Sequence, residues 1–114
     1  MSIKVERQIR LAHGTRFCVR DGGREVARAH LYLMGNDLHD EPFGLLEDVF
    51  VDESQRGKGL GTALIEEVIA AARKAGCYKL IATSRLQRTE VHQLYERLGF
   101  ASYGIEFRMN LTGT

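Results

Sequence analysis

Gln55-Arg56-Gly57-Lys58-Gly59-Leu60-Gly61-Thr62 is the stretch on which the reading of this 114-residue chain turns. It follows a run of β-formers, Leu45-Leu46-Glu47-Asp48-Val49-Phe50-Val51, and precedes the clearest helical pattern in the sequence. Glycines at alternate positions let a ligand come close to the backbone. The first N–H groups of a helix have no internal partner and lie at the positive end of its dipole. Arg56 and Lys58 add charge, so the stretch suits a pyrophosphate. It does not match a Walker A loop, because Gly59 follows Lys58 where Ser or Thr is needed. It does not match a dinucleotide fingerprint either, because the third glycine position falls on Thr62 or Leu64.

Outward from this turn, Leu60 to Ala75 predicts a helix with Leu60, Ala63, Leu64, Val68, Ala71, Ala72 and Ala75 on its inner face. Gly76 is its stop. Tyr78 to Thr83 reads as a short strand. Thr89 to Leu98 reads as a second helix, with Val91, Leu94, Tyr95 and Leu98 inward and Gly99 as its stop. On the other side, Thr15 to Arg20 and Glu25 to Met34 read as a hairpin about Asp21-Gly22-Gly23. Gly35 to Gly44, with the single proline Pro42, reads as a loop. Ile3 to Leu11, Phe100 to Tyr103 and Ile105 to Asn110 are expected to be strands. The order predicts one α/β domain over 1–114 with a mixed sheet.

Composition narrows the function. Sixteen basic against fifteen acidic residues give a formal charge of +1, so nothing points to nucleic acid or a membrane surface as partner. No apolar run approaches the roughly 20 residues of a membrane span. Two cysteines, Cys18 and Cys77, make no disulfide framework, and a reduced, cytoplasmic setting is expected. None of the four histidines has zinc-ligand spacing, so no metal is expected. The adjacent acids Glu47 and Asp48 stand out, because neighbouring strand residues point to opposite faces. If both faces of the sheet are covered, at least one of them must enter a pocket or find a partner.

Arg56-Gly57-Lys58-Gly59-Leu60-Gly61 fits the pattern Arg/Gln-x-x-Gly-x-Gly/Ala, and the chain resembles the GCN5-related N-acetyltransferases there. Leu46 to Asp52 resembles that family's fourth strand. Leu94-Tyr95-Glu96-Arg97-Leu98-Gly99-Phe100 is similar to its second signature. The resemblance implies the acyl-coenzyme A N-acyltransferase fold, with acetyl transfer from acetyl-coenzyme A to a small-molecule or protein amine by direct attack. It implies cofactor contacts from the backbone of Val49, Phe50 and Val51, from Arg56, Gly57, Lys58, Gly59, Leu60, Gly61 and Thr62, and from Arg88. It implies Tyr95 as general acid and Glu47 or Asp48 as base.

Two departures stand beside it. Arg88 replaces the usual Asn, and either reaches a phosphate or faces the acceptor. The family's helical pair after the first strand has no room between Leu11 and Thr15. The acceptor site is therefore expected to be more open than usual, or completed by another subunit, and the working unit is expected to be a homodimer. The run Leu46 to Val49, followed by Arg56-Gly57-Lys58, is also locally similar to glucosamine-6-phosphate N-acetyltransferases. The alternative function is a module that binds acyl-coenzyme A without turnover.

Overall fold

The computed structural model describes residues 2–113. Two units emerge from the packing, Met1–Ala82 and Thr83–Thr114, and each is described by itself. The first holds a mixed sheet. Strand β1 (His13–Asp21) pairs antiparallel with β2 (Arg24–Met34) across a two-residue turn at Gly22-Gly23. Strand β2 pairs antiparallel with β3 (Phe43–Val51). A 3₁₀ turn at Glu53–Gln55 leads to helix α1 (Leu60–Lys74), and β4 (Leu80–Ala82) returns parallel to β3. The sheet order is β1-β2-β3-β4. The second unit holds helix α2 (Thr89–Arg97).

Alternation in β2 builds the core. Ala27, Ala29 and Leu31 are buried on one face, with Leu46 opposite Leu31. Helix α1 packs on β2 and β3 and contributes Leu64, Ile65, Val68 and Ala72. Ile65, fully buried, lies outside the face expected for this helix. The sheet takes a wider apolar arc than the strictest 3.6-residue stripe. Gly44 is a packing position: a Cβ there would lie 2.9 Å from Leu80 Cδ1 and 3.1 Å from Leu31 Cδ1.

Three expected strands are absent. Residues 3–11, 100–103 and 105–110 form no strand among the described residues. They carry the alternation of strands, but a strand exists only through a ladder with a neighbour. The strand expected over Tyr78 to Thr83 shortens to three residues because its pairing with β3 covers only Gly44 to Leu46. Hydrogen bonds from Tyr78 N to Pro42 O and from Gly44 N to Lys79 O extend the contact by one step at its start. No helix precedes the 3₁₀ turn among the described residues, so the helical pair missing from the sequence is missing from the fold.

Ile65→Ala should lower the unfolding free energy by about 2–5 kcal/mol, the usual cost of emptying a buried branched site. Urea denaturation of parent and variant measures it, and a change below about 1 kcal/mol would contradict the core assignment.

Candidate active site

The C-terminal half of β3 departs from regular geometry in two ways. In the β2–β3 ladder, His30 lies opposite Glu47 and Arg28 opposite Phe50. Asp48 and Val49 therefore share the single residue Ala29, which is a β-bulge. Asp48 takes φ 51°, the one non-glycine residue with positive φ among those described. Aspartate is among the few side chains that tolerate this region. The second departure is on the other edge. The parallel ladder with β4 ends at Leu46–Ala82, while β3 runs on to Val51 with ladder partners on β2 only. Strand β3 thus outruns β4 at its carboxyl end, the end at which open α/β sheets bind ligands.

Ion pairing secures the bulge. The Arg28 guanidinium donates to both carboxylate oxygens of Asp48, at 2.9 Å from Nε and 3.0 Å from Nη2. His30 Nδ1 lies 3.5 Å from Asp48 Oδ2. Arg28 also stands 4.8 Å over the Phe50 ring, and the His30 and Tyr32 rings stack at 6.0 Å. Hydrogen bonding from Arg28 holds the Asp48 carboxyl below the usual carboxylate range, against a smaller opposing effect of burial. Opposite residues of an antiparallel ladder share a face. Glu47 therefore lies on the His30 face, and Asp48 reaches the same face through the bulge. Opposite facing, expected from strand alternation, is overturned by one extra residue. Glu47 is half-buried and Asp48 exposed.

After Val51 the chain enters the glycine turn. Asp52 is held by Arg24 at 2.9 Å and accepts a hydrogen bond from Ser54 Oγ. That hydroxyl is the largest cause lowering its carboxyl, and partial burial works against it. Gly57 and Gly59 have φ of 82° and 79°, and nothing lies within 4 Å of a Cβ built at either. Conformation, not crowding, requires glycine at these two positions. Gly59 is the N-cap of α1 and supplies no capping side chain, and the first turn carries no acid. The first backbone bond of α1 is Ala63 N to Gly59 O. The N–H groups of Leu60, Gly61 and Thr62 precede it, uncapped by Gly59. Arg56 Nε donates to Val51 O at 3.3 Å and Lys58 Nζ to Gln55 Oε1 at 3.4 Å, so both cations are tied along the turn.

The second unit carries the other signature. Gly99 N donates to Glu96 O, and Phe100 N to Tyr95 O at 2.9 Å, with Gly99 at φ 102°. This is a Schellman stop, whose usual apolar contact is here the Tyr95–Phe100 ring pair at 5.3 Å. Leu-Tyr-Glu-Arg-Leu-Gly-Phe is thus a helix ending that fixes the Tyr95 ring, half-buried, against Phe100. Arg88 is exposed at the N-cap, and its carbonyl accepts from Val91 N and His92 N. His92 Nε2 is 2.8 Å from Arg85 O, a contact that requires the proton on Nε2.

One continuous strand, turn and helix start thus brings together Glu47 to Val51 and Arg56 to Thr62, while Arg88 and Tyr95 share α2 and its N-cap. Arg28 and His30 were not singled out from sequence. Their signal was present as two polar residues alternating with Ala27, Ala29 and Leu31, but the bulge that brings Asp48 to them left none. Burial pushes the Cys77 thiol up, away from an activated nucleophile. Among the described residues, no helix is long and apolar enough to cross a membrane.

The model of the acetyltransferase (GNAT) family matches residues 2–100, and the chain belongs to that family. A glucosamine 6-phosphate N-acetyltransferase of Trypanosoma brucei brucei is 38% identical over 96 residues, covering 83% of this chain and 63% of that protein. An aminoglycoside N(6′)-acetyltransferase of Stenotrophomonas maltophilia is 34% identical over 100 residues, covering 82% and 64%. The chain thus spans less than two thirds of the length of these two relatives. Among solved structures, a Trypanosoma brucei acetyltransferase superposes with a TM-score of 0.76 at 36% identity, covering 88% of this chain and 69% of that one. The glucosamine-6-phosphate N-acetyltransferase of Arabidopsis thaliana gives a TM-score of 0.80 at 24% identity, covering 87% and 67%, a likeness of fold.

Asp48→Asn keeps a side chain suited to positive φ and removes the charge that Arg28 holds. The folded-state pKa of Asp48 is lowered, so its contribution to stability is present above the unfolded value and is lost as pH falls through the folded one. The variant should be less stable than the parent at pH 7, and the gap should close as pH falls below about 4. Denaturant melts at both pH values check this; a gap independent of pH would remove the ionic role of Asp48.

Proposed function

We propose that this chain transfers an acetyl group from acetyl-coenzyme A to a primary amine, as a single acetyltransferase domain. The observation that carries the proposal is that β3 outruns β4 and is followed, after the glycine turn, by a helix start without a capping side chain. Family membership supports the choice of acyl donor. The uncapped N–H groups of Leu60, Gly61 and Thr62, with Gly57, Gly59, Arg56 and Lys58, suit its pyrophosphate. The backbone of Val49, Phe50 and Val51, beyond the end of the β4 ladder, suits its amide-rich arm.

Bound there, acetyl-coenzyme A supplies a thioester carbon open to attack. The amine nitrogen forms a bond to that carbon as the carbon–sulfur bond breaks. A backbone N–H from Val49 to Val51 stabilises charge developing on the carbonyl oxygen. Glu47, directly or through water, takes the proton that the amine loses, and the Tyr95 hydroxyl gives one to the departing sulfur. Asp48, its carboxylate held by Arg28, keeps the bulge. Arg88, exposed at the start of α2, serves a phosphate or the acceptor.

An amine carried on a sugar is the acceptor class we favour, since both relatives described above are named for such substrates. The working unit is a homodimer in the cytoplasm. Purified protein assayed for thiol release with glucosamine 6-phosphate, an aminoglycoside and a peptide amine tests the reading. Coenzyme A binding without transfer to any of the three would instead indicate a binding module.

Gly59→Asp should abolish coenzyme A binding by calorimetry, because it strains φ 79° and puts a negative charge at the phosphate site. Unchanged affinity in the folded variant would sink the assignment. Tyr95→Phe should lower turnover roughly 10- to 10⁴-fold, with a much smaller effect on coenzyme A affinity. Full activity under chemistry-limited conditions would make Tyr95 a packing residue.

A further inference from the structure

His30 Nδ1 is buried and has no hydrogen-bond partner among the described residues. It lies 3.5 Å from Oδ2 of Asp48, whose carboxylate Arg28 already holds. A buried polar atom without a bond is costly unless its surroundings suit it. Here they decide where the imidazole keeps its proton. A lone pair on Nδ1 would face a carboxylate, whereas an N–H faces it favourably. The neutral ring therefore carries its proton on Nδ1 and its lone pair on Nε2, at the ring edge away from Asp48. Strand alternation alone would put Asp48 on the other face of the sheet, so this contact exists only through the bulge.

The ring has a fixed setting and a defined neighbour. Tyr32 lies over Gly14, where an added Cβ would be 2.8 Å from Tyr32 Cε1. The His30 ring is parallel to that of Tyr32 within 10°. Across the ladder, the residue directly opposite His30 is Glu47. Opposed side chains of an antiparallel pair have Cβ atoms about 4.5–5.5 Å apart on one face, so the imidazole and the Glu47 carboxylate are within reach, directly or through one water.

We propose that His30 is a second proton acceptor in the transfer reaction, taking through Nε2 the proton that Glu47 removes from the amine. This rests on the reading of Glu47 as base given above. As the attacking amine loses its proton, an O–H bond forms on Glu47. That bond then breaks as an N–H bond forms on His30 Nε2, which restores the carboxylate. The imidazolium, with a proton on each nitrogen, releases the Nε2 proton to solvent before the next turnover.

The surroundings suit a transient cation. On β1, Arg16 is opposite His30 and Cys18 is opposite Arg28. On β2, Arg28 and Tyr32 flank the ring, and β3 brings Glu47 and Asp48. Arg16 is paired with Glu25 at 2.7 Å and Arg28 with Asp48 at 2.9 Å. Each guanidinium beside the ring is thus matched by a carboxylate of its own.

Two measurements on the full chain test this. Nitrogen NMR of labelled protein reads the tautomer: resting His30 should be the Nδ1–H form, and an Nε2–H form overturns the proposal whether or not an acceptor is known. With whichever of the three acceptors reacts, His30→Ala should lower turnover by roughly 10²-fold or more, with little change in coenzyme A affinity. Added imidazole should restore much of the rate, whereas pyrazole, of the same size but a far weaker base, should not. Equal rescue by pyrazole, or no rescue by imidazole, makes the loss one of packing and overturns the relay. So does a full rate in His30→Asn, which keeps a donor towards Asp48 but has no Nε2. Full activity in His30→Ala beside a loss in Glu47→Gln removes His30 from the reaction and leaves acetyl transfer standing. Coenzyme A binding without transfer to any acceptor overturns both.

Discussion

The Arg28–Asp48 ion pair is the interaction on which the candidate site depends. A left-handed residue in the middle of a strand is costly unless its surroundings fix it. Here a two-toothed guanidinium contact from the neighbouring strand does so, with His30 alongside. The bulge it holds adds one residue to β3 just past the last β4 pair, in the stretch to Val51 whose ladder partners lie on β2 alone. An exposed salt bridge usually matters little for stability; this one matters because of the backbone it shapes.

Both helices end in the same way, and the endings carry more than local structure. Helix α1 closes with Gly76 N to Arg73 O and Cys77 N to Ala72 O, and α2 closes with the matching pair of bonds at Gly99 and Phe100. In α2 the stop also orients the tyrosine, since the Schellman geometry brings Phe100 back onto Tyr95. A nine-residue helix with no fully buried side chain has little intrinsic stability. Its terminal motif and ring contact are what define the position of the phenol.

Much of this was legible in the sequence. Asp21-Gly22-Gly23 between alternating runs specified the hairpin, and the glycines about Lys58 specified the helix start. Gly76 and Gly99 marked both helix ends because only a few local conformations end a helix. Other features were hidden for a physical reason. The bulge depends on cross-strand register, which no local pattern encodes, so the facing of Glu47 and Asp48 and the partnership of Arg28 and His30 stayed out of reach. Residues 3–11 and 100–110 erred the other way. Their alternation reports what a strand there would bury, but whether a strand forms is decided by a neighbour outside the segment. The bounds of β4 likewise depended on where β3 leaves it.

The sheet order β1-β2-β3-β4 is also the order of synthesis. Each antiparallel strand joins the one made just before it, through a two-residue turn and then a short loop, so the early contacts are local and cost little chain entropy. A three-stranded meander can therefore zip together before α1 exists. The long step is the crossover that carries the chain through the glycine turn and α1 to three residues of parallel pairing. Gly57 to Gly61 lie inside that crossover, so the turn proposed to hold the phosphates sits in the sheet connection whose closure costs the most chain entropy.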